Sequence, residues 1–334
     1  MSSFVFFRFP RYFIRCALAI FAVFSFDNAF ALRTALFPAK VRNRTAVWKD
    51  QDRIFNNETE IDKLRPVWIH SGDSIATAWS NSESLRDLLQ RAEHSEIPQA
   101  GSVPDLFAHA PHPDHTWYAG TYVRNGGLLQ YLEAYSRSPW VLISTALAGA
   151  TFSHHTPHTL KSVGEIKNLH RTKLFTVSLG GNDICAAQNP MDDPESDPRK
   201  LLAELNFKLP APAKKIAFIV PPVDQVFRRL KAELESLPNS ISKSRVEVYC
   251  EEMWKTVTCP AVKDDSGEIA KARKQIMDAY IEAGFHLLDL TQATAAWNIQ
   301  DLLSCDCFHP SRNLQRLITD ESAKLVETIL FREN

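Results

Sequence analysis

The chain predicts an α/β fold, a three-layer α/β/α sandwich around a central parallel sheet. Three observations lead there. Apolar, β-rich runs that break at small-residue turns alternate with segments of helical period along the whole chain, the pattern of βαβ units. With 334 residues, 45% of them hydrophobic, one large domain with a sizeable core can form. Internal repeats and a G-x-S-x-G elbow are both absent from the sequence, which counts against the α/β-hydrolase arrangement.

The elements follow in order. Val67-Trp68-Ile69-His70 ends in Ser71-Gly72-Asp73-Ser74 and reads as a first buried strand at about 66–73. Leu85, Leu88 and Leu89 fall at helical spacing within Ser84 to Glu93. Residues 95–120, rich in Pro, Gly and His, make a long loop of the kind that serves function in a compact domain. A short amphipathic helix from Leu128 to Tyr135 precedes a second strand at 141–148, and a third strand lies at 173–179. Residues 188–199 are acidic and Pro-rich, a surface loop. Lys215 to Val220 is a strand stopped by Pro221-Pro222. Helices follow at about 223–235 and 266–283, a last strand at His286 to Leu290, and a closing helix at about 312–330.

Four strand-end segments carry chemistry. In Asp306-Cys307-Phe308-His309-Pro310 a carboxylate precedes a histidine by three residues, one tight turn, so a single loop supplies an aligned acid and base. In a catalytic triad such a carboxylate holds the imidazole Nδ1–H and stabilises the imidazolium that forms. Ser74 stands at the carboxyl end of the first strand, where open parallel sheets place ligands, and its own N–H opens the following helix. Gly149 closes the second strand; lacking a Cβ, it admits close backbone approach and offers its N–H. Asn182, after the glycine pair Gly180-Gly181, presents a side-chain amide that can donate to an oxyanion. Each segment alone is also an ordinary strand-terminating turn.

Together these segments resemble the GDSL, or SGNH, hydrolase family, whose blocks carry a Ser, a Gly, an Asn and a His in that order. Here they are Ser74 in SGDS, Gly149 in LAGAT, Asn182 in GGND and Asp306/His309 in DCFHP. The resemblance covers about 66–330 and is nearest to the phospholipase B-like branch. The runs that carry the branch are Gly-Gly-Asn-Asp-Ile-Cys at 180–185, Asp-Cys-Phe-His-Pro-Ser at 306–311, the loop Thr116-Trp117-Tyr118-Ala119-Gly120 and the pair Val223-Asp224. The chain departs from the family's pattern in its first block, with His70-Ser71 before Gly72 and Ile75 in place of Leu. The second block lacks the usual Asn-x-Ala-x-x-Gly opening. The resemblance implies a flavodoxin-like fold and a Ser74–His309–Asp306 acyl-enzyme mechanism. Its oxyanion hole would be built from Ser74, Gly149 and Asn182, and no cofactor or metal takes part. Acyl esters of phospholipids or lysophospholipids are the implied substrates, with transient membrane-surface contact. Short-chain esters and acetyl groups on polysaccharide are the same-class alternative, and a catalytically inactive carbohydrate- or metal-binding relative is the alternative of another class.

Charge and cysteine usage bound the compartment. A formal net charge of −1 argues against a nucleic-acid partner. Arg8, Arg11 and Arg15 precede the apolar run Cys16 to Phe26, and Ala29-Phe30-Ala31 offers a small-x-small cleavage site. The expected organisation is a signal peptide at 1–31, an N-terminal arm at 32–65 and the hydrolase domain at 66–334. An uncleaved anchor is the other reading of the N-terminus. Beyond residue 31 lie Cys185, Cys250, Cys259, Cys305 and Cys307. Cys250 and Cys259 are close enough in sequence to close a short loop, and a bridge from Cys185 to Cys305 or Cys307 would join two site loops and leave one thiol free. Reduced, buried cysteines are the alternative, since connectivity is not readable from sequence. Asn43-Arg44-Thr45 and Asn57-Glu58-Thr59 are glycosylation sequons in a eukaryotic context. Two histidine clusters, His109/His112/His115 and His154/His155/His158, read as loop residues that line substrate or face solvent, because neither has a carboxylate at ligand spacing. Ser153, beside His154, is the rival nucleophile.

Overall fold

Val67–Gly72 (β1) is buried along its entire length, so its apolar run forms a strand covered on both faces, as parallel sheets require. Thr172–Ser178 (β3) is buried save for Lys173. Val141–Ser144 (β2), Lys214–Ile219 (β4) and His286–Asp289 (β5) complete a five-stranded sheet of order β2-β1-β3-β4-β5. Every neighbouring pair is parallel. The computed structural model describes residues 64–73, 75, 84–92, 127–146, 149–166, 169–186, 197–219, 221–238, 241–263 and 267–332. The expected leader, residues 32–63, the loop 95–120, both sequons, His109/His112/His115 and residues 188–196 lie outside the described residues.

The helices are Leu85–Ala92 (α1), Leu128–Ser136 (α2), Phe152–Glu165 (α3), Gly181–Cys185 (α4), Pro198–Lys208 (α5) and Val223–Ser236 (α6). Ile241–Glu252 (α7), Glu268–Glu282 (α8), Thr291–Ala295 (α9), Ile299–Leu302 (α10) and Arg312–Val326 (α11) follow. Their starts are legible in local chemistry. Asp197 caps α5 by accepting the Arg199 N–H, with Pro198 in the first turn. Ser311 caps α11 by accepting from Asn313 and Leu314.

Right-handed crossovers send the β1–β2 connection, with α1 and α2, over one face of the sheet. The connections from β2 onward run the opposite way and carry α3, α5 and α8 over the other face, while α7 of the β4–β5 connection packs against α1. Packing agrees: α3 and α8 both pack against α5, while α2 packs against α11. The three-layer α/β/α sandwich therefore stands. Trp68, Ile69, Leu174, Phe175, Val177 and Ala217 fill its centre at 1% exposure or less. In this strand order the connections reverse direction at β1 and β3, so ligands are expected outside the carboxyl ends of those two strands.

Three sequence expectations need correction. β2 ends at Ser144 and not at 148: the Thr145 N–H makes the last bond to β1, at His70 O, and the Ser144 hydroxyl accepts the Ala146 N–H as the chain turns off. His154, His155 and His158 belong to α3 and not to a loop; the polar run around Pro157 hid the helix. α5 and α7 also went unpredicted, although Leu201, Leu202 and Leu205 fall at helical spacing in α5 and could have revealed it.

Candidate active site

The end of β1 is shaped by Asp73. Its N–H extends the ladder to Ser178 O at 2.9 Å, and its carboxylate accepts the Ile75 N–H at 3.0 Å. This bond from residue i to i+2 is an Asx turn. Ser74 itself lies outside the described residues. From α11, Gln315 Nε2 donates to Ile75 O at 3.3 Å and holds the far side of the turn.

The end of β3 is shaped by Gly180, whose φ of +109° belongs to the left-handed region. A Cβ there would also meet Ile276 at 3.0 Å and Phe152 at 3.3 Å. The chain then enters α4, and its next polar residues grip the segment after β2. Asn182 Nδ2 donates to Ala150 O at 2.9 Å, and the Asp183 carboxylate accepts the Phe152 N–H at 3.1 and 3.3 Å. Gly149 is exposed with φ +76°, and a Cβ on it would meet nothing within 4 Å. Within the chain itself, glycine is favoured there by its backbone angle.

Asp306 and His309 share one closed loop. Ser304 N–H donates to His309 O at 2.8 Å and Ser311 N–H to Leu302 O at 2.7 Å, which pins both ends. Within the loop Asp306 Oδ1 accepts from Ser304 Oγ at 2.5 Å, Phe308 N at 3.0 Å and His309 N at 2.9 Å. Its Oδ2 lies 2.6 Å from His309 Nδ1. Burial alone would push this carboxyl up, but the His309 ring and the surrounding donors outweigh it and hold it down at about 2. A carboxylate that stays ionised can only accept, so Nδ1 carries the proton and Nε2 is the basic nitrogen. Asp306 is 4% exposed and His309 7%.

Burial pushes the Asp73 carboxyl up to about 7; the Ile75 N–H and the charge of His309 oppose that, and Asp183 adds to it. Tyr280, fully buried and with its hydroxyl 3.4 Å from Leu179 O, is raised by burial and then by Asp183 and Asp73. The β1 turn, α4 and the Asp306–His309 loop thus interact electrostatically. The grip of Asp183 on the Phe152 N–H and the support of Asp306 by Ser304 were not foreseen from the sequence.

The sulfurs pair differently from the sequence expectation. Cys185 joins Cys259 and Cys250 joins Cys307; Cys305 takes part in neither bridge and is partly exposed. The short Cys250–Cys259 loop does not form because the π-helical turn Met253–Thr258 carries the two residues apart, each to a different site loop. A direct bridge from Cys185 to Cys305 or Cys307 is likewise absent. Disulfides fit a chain that folds in an oxidising, extracytoplasmic compartment. Among the described residues no helix is long and apolar enough to cross a membrane, and no group of three or more His, Cys, Asp or Glu is gathered as metal ligands would be. The His154, His155 and His158 side chains are outside that description.

No curated protein matches the sequence. Solved structures align along most of their length at low identity. TesA shares 14% identity over 79% of this chain and 99% of its own, with a TM-score of 0.44. The psychrotrophic esterase EstA from Pseudoalteromonas sp. shares 14% over 80% and 100%, with a TM-score of 0.42. An acetyl xylan esterase from Geobacillus stearothermophilus shares 12% over 80% and 97%, with a TM-score of 0.41. The family model for GDSL-like lipases and acylhydrolases matches residues 72–322, from the glycine before Asp73 into α11. On that match across most of its length, the chain belongs to the GDSL lipase/acylhydrolase family.

Proposed function

We propose that the protein is an exported serine hydrolase of carboxylic acyl esters, with Ser74 as nucleophile, His309 as base and Asp306 as the group that orients the base. The buried Asp306–His309 pair, 2.6 Å apart and set in one pinned loop, is the observation that carries this reading. His309 Nε2 takes the proton of Ser74 as its oxygen attacks the ester carbonyl. The Ser74 and Gly149 N–H groups and the Asn182 amide hold the oxyanion. Nδ2 of Asn182 has two hydrogens, of which the Ala150 carbonyl uses one, so the amide is both anchored and able to donate. His309 then protonates the leaving alcohol, and water repeats the sequence in reverse.

The substrates in this reading are phospholipid or lysophospholipid acyl esters, supported by the runs at 180–185 and 306–311. Export is supported by the Arg8–Arg15 and Cys16–Phe26 pattern together with the two disulfides, which gives a leader at 1–31, an arm at 32–65 and the catalytic domain at 66–334. A chain-length series of p-nitrophenyl esters beside phospholipids, run with a fluorophosphonate probe, tests the reading. Labelling lost in Ser74→Ala and turnover rising with acyl length support it. Turnover confined to acetyl esters overturns the lipid assignment, and absence of labelling on folded protein identifies an inactive binding relative.

A further inference from the structure

We propose that the segment Cys250–Cys259 is a positioning brace that sets the Asp306–His309 loop against the oxyanion helix α4, with Trp254 as its central positioning residue. Its two ends are fastened to the two halves of the site. Cys259 is bridged to Cys185, the last residue of α4 and one helical turn from Asn182. Cys250 is bridged to Cys307, which stands between Asp306 and Phe308.

Trp254 joins the two fastenings. Its Nε1–H donates to Cys307 O at 2.7 Å, and its own carbonyl accepts the Cys259 N–H at 2.9 Å. Its ring meets Phe308 edge-on at 5.0 Å, and Phe308 meets the His309 ring at 5.1 Å and 89°. Phe227 of α6 backs the indole at 5.2 Å. Trp254 is 1% exposed, and Cys250, Cys259 and Cys307 are no more exposed than that.

Cys307 is where this hold matters. Its φ of +65° is a left-handed conformation that a residue with a Cβ disfavours. It persists because sulfur, carbonyl and N–H are each held, by Cys250, Trp254 and Ser304 O. Releasing the carbonyl lets the peptide that carries Asp306 and His309 shift relative to Asn182. A base and an oxyanion donor displaced from each other by a fraction of an ångström slow chemistry without weakening ground-state binding.

The catalytic consequence rests on the roles proposed for His309 and Asn182. Trp254→Phe tests the brace, since it keeps an aromatic ring but loses the donor to Cys307 O. With both disulfides intact by mass mapping, kcat should fall roughly 10- to 100-fold with KM within about 2-fold. The low-field proton resonance of His309 Nδ1–H, assigned by its loss in His309→Gln, should also shift. The paired variant Cys250→Ser/Cys307→Ser should give the same two changes and covers the case in which Trp254→Phe does not fold. Wild-type kcat and an unmoved resonance in a folded variant overturn the brace. A shifted resonance in a protein whose wild type neither labels nor turns over would keep the brace and remove the esterase reading.

Discussion

Asp183 holds Phe152: one buried carboxylate at the start of α4 accepts, through both oxygens, the first N–H of α3. With the Asn182–Ala150 bond beside it, this contact welds the segment containing Gly149 to the segment containing Asn182. In the proposed mechanism the oxyanion donors are therefore set by a carboxylate that need not touch the substrate.

Asp183→Ala should strand the buried Phe152 N–H and lower stability by roughly 1–3 kcal/mol. kcat should fall with it, while Asp183→Asn, which keeps an acceptor oxygen, should recover most of the stability. Urea denaturation and steady-state kinetics on the pair check this. Equal losses from the two variants would mean that charge, and not the accepted bond, is what matters at this position.

Ser74→Ala and His309→Ala should each remove esterase activity by roughly 10⁴- to 10⁶-fold without unfolding the protein. Ser153→Ala should leave it nearly intact if Ser74 is the nucleophile; the Ser153 hydroxyl lies 3.2 Å from Thr151 Oγ1, a contact within its own segment. Activity that survives Ser74→Ala and disappears with Ser153→Ala would move the nucleophile to α3.

Asn182→Ala should lower kcat by roughly 10²- to 10³-fold with little change in KM, since its amide acts on developing negative charge. An effect confined to KM would reassign Asn182 to ground-state binding.

Two carboxylates give opposite pH signatures. Asp306, held at about 2 against an ordinary 3.8, contributes stability that is full above about pH 4 and is lost as pH falls toward 2. Asp73, pushed up to about 7, keeps its proton in the folded chain after the unfolded chain has lost it. Its contribution is therefore full below about 4 and lost as pH rises to about 7. Asp73→Asn stays neutral and still accepts the Ile75 N–H, so its melting temperature relative to wild type should climb across that window. Parallel melting profiles for the two proteins would contradict the assignment.

Non-reducing peptide mapping should find Cys185–Cys259 and Cys250–Cys307, with Cys305 the alkylatable thiol. Closing loops with sequence separations of 74 and 57 residues, each bridge is worth about 4 kcal/mol in the chain-entropy model. A Cys250–Cys259 peptide in the map would contradict the pairing.

The strands and the strand-end segments were legible because both are local. An apolar run that stops at Gly72, or at Gly180-Gly181, states its own burial and its own turn, and the Asp306–His309 pair needs only one loop to align. What joins those pieces was not legible. Whether Asp183 turns its own chain or reaches Phe152 depends on how β1 separates β2 from β3 in the sheet. Proximity in sequence favoured Cys250 with Cys259, whereas folding sends the ends of the Met253–Thr258 turn to different partners. Helix α3 was hidden by the polar run around Pro157, and its apolar anchors Phe152 and Val163 lie far apart in the sequence.

The disulfides interleave: in chain order the bonded residues run Cys185, Cys250, Cys259, Cys307, with the second bridge starting inside the loop closed by the first. Loop closure is easier for near neighbours, so a chain oxidised before it folds is open to the Cys250–Cys259 pairing, which the native fold excludes. Reaching the active form then becomes a matter of thiol exchange, in which a thiolate must attack that premature bond and hand its sulfurs on to distant partners. With two interleaved bridges to form, a glutathione buffer or a disulfide isomerase should raise the yield of active protein from reduced, unfolded chain.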